Sequence, residues 1–433
     1  MRLQLFWLVS LAFTLTVACG QPGADGEGQT TAADPAAESP ASAEASEAAE
    51  AAVEAPKPAV EVVLWHAYRA AEKVALEEVV AGINDSSTSV KIRAQAVPYD
   101  PFVDKVTITI PRGQGPDLFI FAHNMIGAWA EEELLESLSK AVDSETLRWF
   151  LPETVTPLVH EGNLYGLPLA FKSLVLFHNK KLLPEVPVSM DLLVPKLVEI
   201  QKANPGVHGL VAEAGLLYNH APWMHAFGGV VFDEGGQPAL DSEGQRRAAA
   251  WVRSLHKEHK VLPSGMTGFM VSSLFNEGKA AVALNGPWFR AELSESLDVG
   301  VAVIPSLEGR FSKPFLGVEA VFVSRQSKNK EAAIEAARLL AGASSAKVRM
   351  EKGKQPVAHR ETLEAGAKAD PMLGVFLEQA ATAVPMSARP EMQLVWSTMD
   401  MALQGIVYGE KKPDAALKSA QDKVKADISK RGR

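Results

Sequence analysis

Runs of strand length alternate with segments of helical periodicity along most of this chain, and that rhythm constrains the fold more than any single motif. Residues 60–65 (VEVVLW) form an apolar, β-branched run of the kind that is buried on both faces of a parallel sheet. Residues 70–83 follow with Val74, Leu76, Val79, Val80 and Ile83 at helical spacing. A second strand is expected over 90–97, an ambiguous helix over 102–110, and a third strand over 118–121 after the Gly115-Pro116-Asp117 turn. The same order recurs, with strands over 175–178, 209–212, 299–304 and 317–323 and helices over 192–203, 242–258 and 330–341. From Asp370 onward the chain reads as helical, ending in a lysine-rich amphipathic segment over 413–428. The expected class is α/β, with parallel sheet covered by helices on both faces.

Within this pattern, residues 274–288 (LFNEGKAAVALNGPW) are the most informative stretch. Gly278 supplies the positive φ that ends a helix. Residues 280–284 are a short buried strand, and Asn285-Gly286-Pro287 is strong turn chemistry. Trp288 then falls at the C-terminal end of the strand, where open α/β sheets place their ligands. A core tryptophan after a turn is the plain alternative.

The first nineteen residues read as an export signal. Arg2 is a minimal positive region, and residues 3–18 are apolar but too short to span a bilayer comfortably. The segment ends at Cys19, the only cysteine of the chain, preceded by Ala18. This resembles the bacterial lipobox, in which the cysteine is acylated and becomes the mature N-terminus, although Thr16 stands where leucine is commonest. An ordinary signal peptide with a chance cysteine is the alternative. Residues 20–58 are rich in Ala, Glu, Pro and Ser, lack aromatic residues and cannot bury enough apolar surface to order themselves. They carry eight acids against Lys57 alone, so most of the net charge of −9 lies in this expected tether. That acidity, with no basic cluster to offset it, argues against a nucleic-acid partner.

Residues 59–430 resemble the maltose-binding-protein family, the extracellular sugar-binding proteins of ABC importers. The resemblance is carried in register by Trp65, Gly115-Pro116-Asp117-Leu118-Phe119 with Ala122-His123 and Gly127, Tyr165-Gly166-Leu167-Pro168, Asn179 to Pro184, and Gly228-Gly229. Asn285-Gly286-Pro287-Trp288, Lys313 to Val318 and Pro390-Glu391-Met392 complete it. It implies a periplasmic-binding-protein-like fold of two discontinuous lobes joined by a hinge, with the ligand in the cleft between them. The lobes would be 59–170 plus 320–366 and 171–319 plus 367–433. The implied function is capture of a carbohydrate by cleft closure and its delivery to the transmembrane subunits of a permease. A monomer anchored by Cys19 lipid and facing the periplasm or the cell exterior is expected. A sensing lipoprotein that presents its closed form to a kinase or chemoreceptor, or a binder of a non-sugar solute, is the alternative.

The resemblance also assigns a site. Trp288 and Trp396 match two family tryptophans, Tyr218 a tyrosine, and Met386 a methionine, while Phe121 stands for a tryptophan. Aromatic rings suit the C–H faces of sugars, and hydroxyls need directed polar partners. The polar set departs from the maltose binders: Asn124-Met125 replaces an Asp-Arg pair, and Lys172 a glutamate. Leu216 replaces an acid, Ser397 and Asp400 stand for a tyrosine and an arginine, and the first loop carries His66, Tyr68, Arg69 and Glu72. Lys172 and Arg69 could pair with a ligand carboxylate, or Lys172 with a protein acid such as Glu319. Trp65 and Trp129 are expected to pack the first lobe, with Trp223 and His225 as secondary contact candidates.

Other chemistry finds little support. His256 and His259 lie on a charged helix face, His220 and His225 lack metal-protease spacing, and no nucleophile elbow, phosphate loop or dinucleotide fingerprint is present. Nothing singles out an opposed carboxylate pair of the glycosidase kind. No catalytic residue, metal or cofactor is expected.

Overall fold

The computed structural model describes residues 58–431. The expected signal segment, Cys19 and all but Pro58 of the expected tether lie outside the described residues.

Among the described residues, twelve strands form two main sheets and one small hairpin. The strands are β1 Val60–His66, β2 Val90–Ala96, β3 Leu118–Ala122, β4 Val159–His160, β5 Asn163–Leu164, β6 Gly166–Lys172, β7 Val175–Asn179, β8 His208–Val211, β9 Ala280–Asn285, β10 Val299–Ala302, β11 Phe315–Val323 and β12 Val384–Pro385. The first sheet runs β12-β11-β3-β1-β2, with β6 also pairing β11. The second runs β10-β7-β9-β8, and β4 pairs β5. The helices expected at 70–83, 192–203, 242–258 and 330–341 appear as Ala70–Ser86, Met190–Ala203, Glu243–Lys257 and Lys330–Ala341. The ambiguous segment is the helix Phe102–Thr109.

The sheets are mixed rather than wholly parallel. The β1–β2, β1–β3 and β8–β9 pairs are parallel, whereas β11 runs antiparallel to β3 and β6, and β7 antiparallel to β9 and β10. Periodicity measures burial and is blind to strand direction. Here β6 leaves the first sheet at Lys172 and leads directly into β7 of the second, while β11 enters the first sheet at Phe315. A departing and a returning strand lying side by side must be antiparallel. Both therefore run through the positions at which lobe boundaries were expected.

Burial of the second sheet on both faces explains its continuous apolar strands. Val175 and Phe177 point into the cluster that includes Phe275, Phe289 and Phe376. Leu174 and Leu176, of opposite parity, point into the cluster of Leu193, Leu197, Trp223, Val252 and Leu403. Helices cover each side, as the sequence rhythm implied.

The C-terminal part is not helical throughout. Between helices Pro371–Ala380 and Met392–Val407 the chain extends through β12, with Val384 N donating to Pro314 O at 2.8 Å and Met386 N to Leu316 O at 3.1 Å. Pro385 and Pro390 oppose helix continuation here. The excursion sets Met386 against Gly317 at the mouth of β11. Among the described residues, no helix is long and apolar enough to cross a membrane.

Candidate binding cleft

A cavity of about 750 Å³ opens where strand ends of the first sheet meet the loops of the second. Its walls include Trp288, Trp396, Tyr218, Phe121, Asn124, Lys172, Arg69 and Met386, so all eight residues singled out from the sequence converge on one space. They come from six separate stretches of chain.

One wall is an aromatic row. Trp288 follows β9 in the 3₁₀ turn Pro287–Ala291, Tyr218 opens the helix Leu217–Ala226, and Trp396 lies in the first turns of Met392–Val407. Tyr218 lies 6.4 Å from Trp288 between ring centroids and 6.2 Å, nearly parallel, from Phe315. Phe315 in turn meets Trp396 edge-on at 5.8 Å. Phe315 is buried, and Trp288, Tyr218 and Trp396 are all partly exposed. The buried ring thus backs two of the three exposed ones.

The opposite wall differs from expectation in detail. Phe121 lines the cavity but is sandwiched between Phe102 at 4.9 Å and Tyr99 at 5.1 Å. The exposed ring on this side is Tyr99, with 56% of its surface accessible. Sequence reasoning passed over Tyr99, yet it lies just past the C-terminal end of β2, as Trp288 lies past β9. Phe315 was likewise missed as a supporting residue, since nothing local distinguishes a strand-initial phenylalanine that braces a site from one that fills a core.

The polar floor is an ion network. Lys172 Nζ lies 2.8 Å from Glu72 Oε1 and 3.3 Å from Glu319 Oε1. Tyr68 Oη donates to Glu319 Oε2 at 3.2 Å, and Gln355 Nε2 to Glu72 Oε1 at 3.1 Å. Burial works against the Lys172 ammonium, but Glu319 and Glu72 together outweigh it and hold its pKa above the ordinary value. Burial, reinforced by Glu72 and opposed by Lys172, pushes the Glu319 carboxyl up. Arg349, buried nearby, is lowered to about 10 by burial, with Tyr68 and Glu319 opposing that shift. Glu72 and Glu319 both lie within ion-pair distance of Lys172, so Lys172 is already matched by protein acids rather than free for a ligand carboxylate. Arg69, exposed at the rim, forms no ion pair among the described residues.

His123 ties the cavity walls together: its Nε2 donates to Met386 O at 2.9 Å, and its Nδ1 accepts from Val318 N at 2.9 Å. Trp65 and Trp129 are buried in the first cluster, as expected. Trp223 is buried against Trp251, and His225 donates to Lys313 O at 2.6 Å beside Phe315. Neither Trp223 nor His225 lines the cavity.

Two sheets joined by departing and returning strands, with a cavity at their junction, define a two-lobed solute-binding architecture. The family model for bacterial extracellular solute-binding proteins matches residues 66–347, and this chain belongs to that family. The galactooligosaccharide-binding protein of Bacillus subtilis (strain 168) is 29% identical over 389 residues, covering 85% of this chain and 89% of that one. The maltotriose-binding protein of Pyrococcus abyssi (strain GE5 / Orsay) is 26% identical over 382 residues, covering 84% and 82% respectively. The crystal structure of a cyclo/maltodextrin-binding protein complexed with maltotetraose superposes with a TM-score of 0.77 at 27% identity, covering 86% of this chain and 98% of that one.

Proposed function

We propose that this protein captures a neutral oligosaccharide in the cavity between its lobes and delivers it to the permease of an ABC importer. The observation that carries the reading is the aromatic row of Trp288, Tyr218 and Trp396, backed by Phe315 and faced by Tyr99 across the cavity. Rings of this kind cover the C–H faces of successive sugar units. The ion network on the floor favours a ligand without a carboxylate, because Lys172 is already paired with Glu72 and Glu319. Asn124, Arg69, Asp100 and Gln393 line the same space and are available to hydroxyl groups.

The two lobes would be residues 59–170 plus 320–366 and 171–319 plus 367–433, and a ligand touching both biases the hinge toward closure. Export and acylation at Cys19 would place this domain, as a monomer, on a membrane facing the periplasm or the cell exterior. The names of the relatives and of the matched structure are consistent with a carbohydrate ligand.

Thermal shift of residues 58–433 against galacto-oligosaccharides, malto-oligosaccharides, other oligosaccharides, uronic acids and polyols tests the reading. A ligand present at a hundred times its Kd adds about 2.7 kcal/mol of stability. Stabilisation by a neutral oligosaccharide, lost in Trp288→Ala and Trp396→Ala, is expected. Silence across the whole panel would overturn the assignment to carbohydrate, and a response to uronic acids alone would overturn neutrality.

A further inference from the structure

Trp288 separates two cavities. Its ring lines the main one and also a second space of about 340 Å³, lined further by Glu213, Phe269, Ser272, Asn285 and Glu292. We propose that the binding track continues around Trp288 into this second cavity, which holds one further sugar unit of a longer oligosaccharide. The inference rests on the proposed carbohydrate function and extends the site it assigns.

The second cavity carries both chemistries that sugar recognition needs. Phe269, in the first turn of the helix Gly268–Asn276, leaves 81% of its surface exposed at the edge of this cavity, where a ring face is open to a sugar. Polar groups surround it. Ser272 Oγ donates to Glu292 Oε2 at 2.6 Å, which leaves the other Glu292 oxygen as an acceptor. Asn285 is buried with 8% exposure, and its Oδ1 accepts from Gly286 N at 2.9 Å. The Asn285 Nδ2 donates to no described residue, although the side chain lines the cavity. Glu213 and Glu292 form no ion pair among the described residues, and burial pushes the Glu213 carboxyl up. Carboxylates with no cationic partner beside an exposed ring suit hydroxyl donors on an apolar sugar face.

One tryptophan would then serve two adjacent sugar units. Trp288 sits where the two core clusters meet and packs against both, which fixes its ring between the cavities.

Isothermal titration of the wild type with maltose through maltopentaose, and with galactobiose through galactotetraose, provides the test. In the series that binds, affinity should rise sharply at one chain length and stay level beyond it. Phe269→Ala and Glu292→Gln, both at exposed positions, should erase that step, lowering affinity for the longer sugars about threefold to tenfold while leaving the shorter ones unchanged. A wild type that binds all lengths equally, or variants that keep the step, would overturn the second subsite and leave the main-cleft assignment standing. Binding of no member of either series, with silence across the whole thermal-shift panel, would overturn both.

Discussion

Gly286 and Trp288 are in direct apposition: a Cβ at position 286 would overlap the six-membered ring of the Trp288 indole. The Gly286 backbone, at φ −100° and ψ −176°, is open to any residue, so the glycine is required by the ring and not by a backbone strain. Gly286→Ala is therefore expected to displace Trp288 while the strand before it persists. Ligand affinity should fall tenfold or more, about 1.4 kcal/mol, with altered tryptophan fluorescence. Unchanged affinity in titration would show that the indole position is immaterial.

Removal of Lys172 leaves Glu72 and Glu319 facing each other without their shared ammonium. Lys172→Met should cost about 2–3 kcal/mol at neutral pH, the penalty for a buried unpaired charge being reduced by the partial exposure of the side chains. The sign of the pH response follows from the raised Glu319 carboxyl. A group whose folded pKa lies above its unfolded value gives stability below the unfolded pKa and loses it as pH rises. Relative to wild type, the variant should therefore recover stability as pH falls from 7 toward 5, which melting curves at stepped pH will report.

Phe315 holds Tyr218 and Trp396 without itself facing the cavity. Phe315→Ala should destabilise by about 3–5 kcal/mol, as large-to-small core changes do, and Phe315→Leu by about 1 kcal/mol. Phe315→Leu should nevertheless weaken ligand binding clearly, because two rings lose their backing. A folded leucine variant with wild-type affinity in titration would remove Phe315 from the site.

His123 makes the wild type acid-sensitive. Burial lowers its pKa to about 4 from the ordinary 6.5, and its Nδ1 is already committed as an acceptor from Val318 N. The unfolded chain thus takes up the proton first, so stability is full above pH 6.5 and declines as pH falls toward 4. His66 and His225, lowered by burial to about 4, and His220, lowered to about 3, act in the same direction. Each contributes at most about 1.4 kcal/mol per pH unit over its window. His123→Gln should make the decline shallower in denaturant titrations at stepped pH, and an identical slope would remove His123 as a contributor.

Much of the fold was legible because burial writes period into sequence. The helix at 330–341 and the strands at 60–65 and 280–284 lie within a residue or two of their expected limits. The turn at Asn285-Gly286-Pro287 and the positive φ of Gly278, 71°, follow from local backbone chemistry. The resemblance to a known family, carried by landmarks in order along the chain, led to eight residues that share one cavity. Tyr99 escaped because a tyrosine between two prolines gives no local signal beyond its place after a strand. The extended stretch at β12 escaped because its apolar residues fit a helical pattern equally well.

By itself the sequence determined where apolar runs must be buried, where the chain must turn, and which large aromatic residues follow strand ends. Those are local or periodic properties, set within a few residues of each position. Only the tertiary structure decided that β11 returns antiparallel beside β6, that Lys172 is claimed by Glu72 and Glu319, and that Trp288 stands between two cavities. These relations join residues far apart in the chain, and no pattern within a stretch can encode which distant partner a charge or a ring will meet.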